Sequence, residues 1–311
     1  LNLFLRNDWL VEKLKEQCND AHVGIQQTGS GRTMVIDYSS PNVAKRMHIG
    51  HMRSTIIGNA IDRMYRAAGW KVIADNHIGD WGTQFGKLMV SWRESRDEAN
   101  FTADPIGELE RLYVLFGQTA TEERMELARQ ETAKLQAGDE ENTRLWKMFI
   151  EVSLKEFESV YERLGVQFDE VLGESAYNDV LPSLVEELKE HRVATESKGA
   201  VVVQFPEEIE PKILSNSTLV IQKQDGAYLY GTTDLATADY RKNVFQADEV
   251  VYVTDMRQQL HFQQVFHAWK QLRIARGETA EQCLSPVLHH VWFGMLKLPE
   301  GAMSTRQGNV I

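Results

Sequence analysis

Two histidines bracket an Ile-Gly in "SSPNVAKRMHIGHMRST", the stretch from Ser39 to Thr55. A strand-like run ends just before them and a helix-like run begins with them. The carboxyl end of a parallel strand, where the chain turns into a helix, is where α/β sheets bind their ligands. A helix mouth offers free amide donors and the positive end of the helix dipole, which suits phosphate. Gly50 lacks a Cβ, so a flat purine or a phosphate can approach the backbone. Each imidazole can donate a hydrogen bond and can become cationic at little cost near neutral pH. Together His48 and His51 can steady charge that grows on an α-phosphate during in-line attack. A pair of exposed histidines at a helix start would look the same in isolation.

Positioning those residues requires particular elements. "RTMVIDYSS" (32–40) reads as a buried strand ending in turn residues. Met52, Ile56, Ile57, Ala60, Ile61, Met64, Tyr65 and Ala68 then mark one helix face, with Gly69 at the closing position. "WKVIADNHIGD" predicts a second strand and "GTQFGKLMVSW" another helix, which together suggest a parallel βαβ unit. From about Arg93 to Ser197 the sequence is charge-rich and helical, with acids and bases often four apart and no strand before "VQFDEVLG". We expect this part to be a solvated scaffold without direct chemistry. Strand signals return with "GAVVVQF", "STLVIQK" and a hairpin through "QDG" into "AYLYG". A helix ("TDLATADYRKNVF"), a strand ("DEVVYVT"), a helix from about Arg257 to Ile274 and a last strand ("PVLHHVWFGMLKL") follow. The expected fold is α/β: a doubly wound, Rossmann-like parallel sheet split by a mainly helical insertion.

With 311 residues the chain can bury a substantial core, and 42% hydrophobic with 25% charged residues is ordinary for a globular protein. No apolar run approaches the roughly 18 residues of a membrane span, and the first residues do not read as a signal peptide. Cys18 and Cys283 stand far apart with no paired ligand, which points away from disulfides or structural zinc and toward a reducing cytoplasm. A net charge of −11 argues against a surface dominated by polyanion binding. We expect a monomer with no membrane partner.

The motifs add up to more than their parts. "DYSSPNVAKRMHIGHMRSTIIGNAI…GDWGTQFG", then "DGAYLYGTTDLATADYR", "VTDMRQQLHF" and a terminal "MSTRQGN" resemble, in order, the signatures of arginyl-tRNA synthetases of class I. The resemblance implies that ATP, with Mg²⁺ held by its phosphates and water, activates L-arginine, which then passes to the 3′ end of its tRNA. It divides the chain into residues 1–31 (tail of an N-terminal tRNA-binding region), 32–96 (first half of the catalytic domain), 97–200 (the insertion) and 201–311 (second half). It further implies tRNA-binding domains on either side, without which the core is expected to be inactive.

Residue by residue, the resemblance gives Asp37 and Asp234 to the arginine guanidinium, with Tyr230 one helical turn before Asp234. Carboxylates are the natural partners of that fork of donors. Asp234 would otherwise read as a helix cap, since "TTDLA" opens a helix. Asn42 and Gln258 match positions that hold the amino and carboxylate ends of arginine. His48, Gly50 and His51 fall on the ATP side, and His261 is a weaker ATP-side candidate. Trp81 and Gln84 match positions with a structural and pocket-lining role. The final loop departs from the usual Lys-Met-Ser-Lys-Ser pattern: Ala302 and Thr305 occupy the lysine positions, leaving Met303, Ser304 and Arg306 for ATP, and Gln307 replaces a residue that is often basic. Lys45, three residues before "HIGH", is the expected compensating charge. Two alternatives stay open: a "HIGH"-type nucleotidylyl transferase with another acceptor, and a non-catalytic paralogue that binds arginine or RNA.

Overall fold

The computed structural model describes residues 3–295, 297–298 and 301–302. Four strands form a parallel sheet. β1 (Thr33–Asp37) follows a first helix α1 (Asn7–Asn19), then come α2 (Ile49–Ala67) and β2 (Lys71–Asp75). A helical stretch follows: α3 (Thr83–Ser95), α4 (Glu98–Ala103), α5 (Pro105–Gln118), α6 (Glu122–Gln136), α7 (Glu140–Leu164) and α8 (Leu181–Glu190). β3 (Thr195–Ser197), β4 (Ala200–Gln204) and β5 (Thr218–Gln222) form a separate antiparallel sheet, and α9 (Tyr230–Asn243) leads back to β6 (Glu249–Asp255), α10 (Gln259–Ala275) and β7 (Val287–Phe293).

The parallel sheet runs β2-β1-β6-β7, so the chain winds outward in one direction from β1 and in the other from β6. That reversal is the switch point, and it opens a crevice at the carboxyl ends of β1 and β6. β1 and β6 are paired strands buried on both faces, and Met34, Val35, Ile36, Val250 and Val253 are fully buried. Such strands read as continuous apolar runs, which is why both were visible in the sequence.

α2 lies differently from its expected apolar stripe. Its buried residues are Ser54, Thr55, Gly58 and Asp62, while Ile56 and Met64 are exposed. Small side chains let the helix approach the sheet closely: a Cβ on Gly58 would lie 2.2 Å from Tyr38 Cγ. Gly69, at φ +85°, ends the helix as expected.

α3 packs against α5 and α6, with Phe85, Leu88, Met89 and Trp92 in one core with Leu109, Leu112 and Phe149. The helical body therefore takes in α3. "VQFDEVLG" forms only a single parallel bridge, Glu170 to Asp75. "AYLYG" contributes a bridge from Tyr228 to Gln222, and Tyr230 already begins α9. Among the described residues no helix is long and apolar enough to cross a membrane.

Candidate active site

The crevice at the switch point holds a cavity of about 550 Å³. His48, Gly50 and His51 line it from the mouth of α2, and Asp37, Asn42, Tyr230, Asp234 and Gln258 line the same space. Residues scattered over more than two hundred positions thus converge on one site.

His48 is the cap of α2. Its Nδ1 accepts from Gly50 N at 3.1 Å, and His51 Nδ1 accepts from His48 N at 3.3 Å. The two rings stack with centroids 3.9 Å apart. An acceptor Nδ1 carries no proton, so in each neutral ring the proton sits on Nε2. Burial pushes both imidazoles down, His51 to about 3, and Lys45 adds to the effect on each. At neutral pH the pair therefore acts as neutral donors through Nε2–H. The ready cation expected from the sequence is replaced, because burial penalises the charged form. Gly50 also has a different reason from the one expected. A Cβ there would meet His48 Cε1 at 2.8 Å, so glycine makes room for the capping ring.

The loop before α2 is strained. Ser39, Ser40 and Ala44 have φ of +71°, +47° and +64°, a region that costs a non-glycine residue roughly 1 kcal/mol or more. Ser39 and Ser40 also line the cavity.

At the other end stands a group of acids. Asp234 is the fifth residue of α9, so it is no helix cap, and its Oδ2 lies 2.5 Å from His261 Nε2. His261 is thus tied to the acid end rather than to the ATP side, and against the effect of burial its hydrogen bond to the Asp234 carboxylate holds the imidazole above the usual range. Glu174, in the connection between α7 and α8, faces the same cavity. Burial pushes its carboxyl up to about 8, with the charges of Asp234 and Asp80 adding to the rise. The insertion therefore supplies part of the site wall, contrary to its expected role as a bare scaffold. Nothing local in the sequence marks Glu174. The neighbouring Gly173 is set by tertiary packing, since a Cβ there would lie 2.3 Å from Asp80 Cγ.

Asp37 is already engaged. Arg241 Nη2 donates to Asp37 Oδ2 and to Asp75 Oδ2, each at 2.7 Å, and Ser40 Oγ donates to Asp37 Oδ1 at 2.7 Å. Arg241 is fully buried with its guanidinium 5.0 Å from the Tyr252 ring centroid. This weighs against Asp37 as a free acid for a ligand cation. Lys45 lies outside the cavity wall, with Nζ 4.1 Å from the Tyr113 ring centroid. Trp81 packs edge-on against Trp146, and Gln84 Nε2 donates to Gly79 O at 3.0 Å; neither lines the cavity. Sequence reasoning also missed His77, Arg257 and Phe293, which do line it. Met303, Ser304 and Arg306 lie outside the described residues.

Comparisons with known proteins identify the family and the fold. Residues 14–311 match the family model described as "tRNA synthetases class I (R), catalytic domain". Arginine–tRNA ligase of Fusobacterium nucleatum is 45% identical over 314 residues, covering 100% of this chain and 52% of the relative. That of Clostridioides difficile is 41% identical, covering 100% and 53%. The crystal structure of the Plasmodium falciparum arginyl-tRNA synthetase aligns with a TM-score of 0.71 at 31% identity, over 94% of this chain and 49% of that one. The Thermus thermophilus enzyme gives 0.72 at 20% identity, over 97% and 54%, and supports the fold. The chain spans about half the length of the curated relatives it matches.

Proposed function

Because this chain belongs to the family of class I arginyl-tRNA synthetase catalytic domains, we propose that its cavity activates L-arginine with ATP and then passes it to the 3′ end of the cognate tRNA. It would thus be the core of an AMP-forming arginine–tRNA ligase. One observation carries the reading. A pair of acids and a pair of backbone-locked imidazoles open onto a single cavity, so a cationic amino acid and a phosphate fit side by side.

Glu174 and Asp234 take the guanidinium, and the Tyr230 ring forms a wall beside them. Asn42 and Gln258 hold the amino and carboxylate ends. In the reaction a carboxylate oxygen of arginine attacks the α-phosphorus, and the bond to pyrophosphate breaks. His48 and His51 donate through Nε2–H to the phosphate oxygens as charge grows there, an effect strongest in a site that excludes water. Lys45, Met303, Ser304 and Arg306 complete the ATP side. Asp37 holds the loop through Ser40 and takes the charge of Arg241. Mg²⁺, held mostly by phosphates and water, would neutralise the triphosphate. We place the reaction in the cytoplasm, where two free cysteines are at home. A transferase with an uncharged acceptor would leave Glu174 without a cationic partner.

Calorimetry with arginine, lysine and citrulline tests the reading. Arginine alone should bind, and the intact protein with tRNA should exchange pyrophosphate into ATP only when arginine is present. Equal binding of all three, or exchange without arginine, would sink the assignment.

A further inference from the structure

Helix α7 belongs to the insertion, yet it reaches both ends of the strained loop. At one end, Tyr161 OH lies 2.8 Å from Ser39 Oγ and accepts from Asn76 Nδ2 at 3.1 Å. At the other, Ala44 N donates to Ser153 Oγ at 2.9 Å, and Ser153 Oγ donates to Phe149 O at 2.7 Å. Ser39 and Ala44 are two of the three left-handed residues. The third, Ser40, donates its N–H to Asn76 Oδ1 at 3.1 Å, and Tyr161 orients that same amide. All of these groups except Ser40 are buried, so water offers little substitute.

Thr55 Oγ1 donates toward two acceptors, Ser39 Oγ and the His51 carbonyl, each 2.8 Å away. Ser39 Oγ in turn shares its hydrogen bond with Tyr161 OH. A chain thus runs from Asn76 through Tyr161, Ser39 and Thr55 to the backbone of His51, itself in the cavity wall. Left-handed backbone at roughly 1–2 kcal/mol per residue persists only where surrounding contacts over-determine it.

We propose that Tyr161 and Ser153 are positioning residues, through which α7 sets the 39–44 loop for arginine activation. The proposal rests on the reading of the cavity given above. Ser40 and Asn42 line the cavity within this loop, and Lys45 and His48 follow it directly. A loop displaced by a fraction of an ångström costs turnover more than binding, because near-attack geometry is lost while contacts survive.

The test compares Tyr161→Phe and Ser153→Ala in the intact protein. Amide exchange over residues 39–45 should quicken about tenfold, matching roughly one lost hydrogen bond. The kcat for arginine-dependent pyrophosphate exchange should fall about 10- to 100-fold, while KM for arginine and ATP stays within about threefold. In an Ala44→Gly background, where glycine accepts the positive φ, Ser153→Ala should lose much less activity than in the wild-type protein. A lower melting temperature with unchanged kcat would mean a merely structural role and would overturn the proposal. So would unchanged amide exchange in Tyr161→Phe, or an equal Ser153→Ala loss in both backgrounds. If the wild-type protein shows no arginine-dependent exchange, the functional reading fails instead, and the amide exchange rates alone then judge the hold of α7 on the loop.

Discussion

A carboxyl that holds its proton up to about pH 8 beside a second acid is a detector for cations. When a guanidinium arrives, Glu174 must give up its proton, and His261, raised by Asp234, is pushed the same way. Both changes have one sign: arginine, if the proposed assignment holds, should bind more tightly as pH rises toward 8 and level off above it. Isothermal titration from pH 6 to 9 checks this, and a flat or falling affinity would count against Glu174 as a ligand. Glu174→Gln keeps the shape but loses the charge. It should weaken arginine by about 10- to 100-fold, the usual cost of breaking a charge-assisted pair, and flatten the pH dependence. Legibility at this scale was uneven. Asp234 had two readings in the sequence, and only the start of α9 at Tyr230 separated them. Glu174 had none, because the bridge from Glu170 to Asp75 that carries it to the site is a tertiary event.

Helix α2 shows what an element can disclose. Its existence, its mouth at His48 and its closing Gly69 were readable from periodicity and caps, whereas its buried face was not. Close approach to the sheet selected Ser54, Thr55 and Gly58 over the apolar stripe. Gly50→Ala should therefore displace His48 from its cap. We expect a stability loss of about 1 kcal/mol, read by denaturant unfolding, together with a drop in pyrophosphate exchange. The stacked imidazoles also tie the helix start to acidity. His51 protonates near 3 in the fold against about 6.5 in the unfolded chain, so the unfolded state binds the proton first. Its contribution is intact above pH 6.5 and is lost as pH falls toward 3, by at most about 1.4 kcal/mol per pH unit. His51→Gln should flatten the acid limb of stability measured by urea unfolding. An unchanged limb would show that other groups set it.

At the scale of the whole molecule, apolar runs and alternation made the two α/β halves and the helical stretch legible. How they interlock was hidden, since Arg241, Tyr161 and Glu174 read locally as a helix cation, a helix aromatic and a loop acid. The buried contact of Arg241 with Asp37 and Asp75 has a consequence for the order of synthesis. β1 and β2 emerge from the ribosome early, but the guanidinium that joins their two adjacent carboxylates follows much later, and β6 later still. Until then the nascent half would have to bury two like charges side by side, which the interior resists. A chain released after Leu164 should stay protease-sensitive, while one carried through β7 should resist digestion. The first half of the protein should therefore become protease-resistant only once the second has been made.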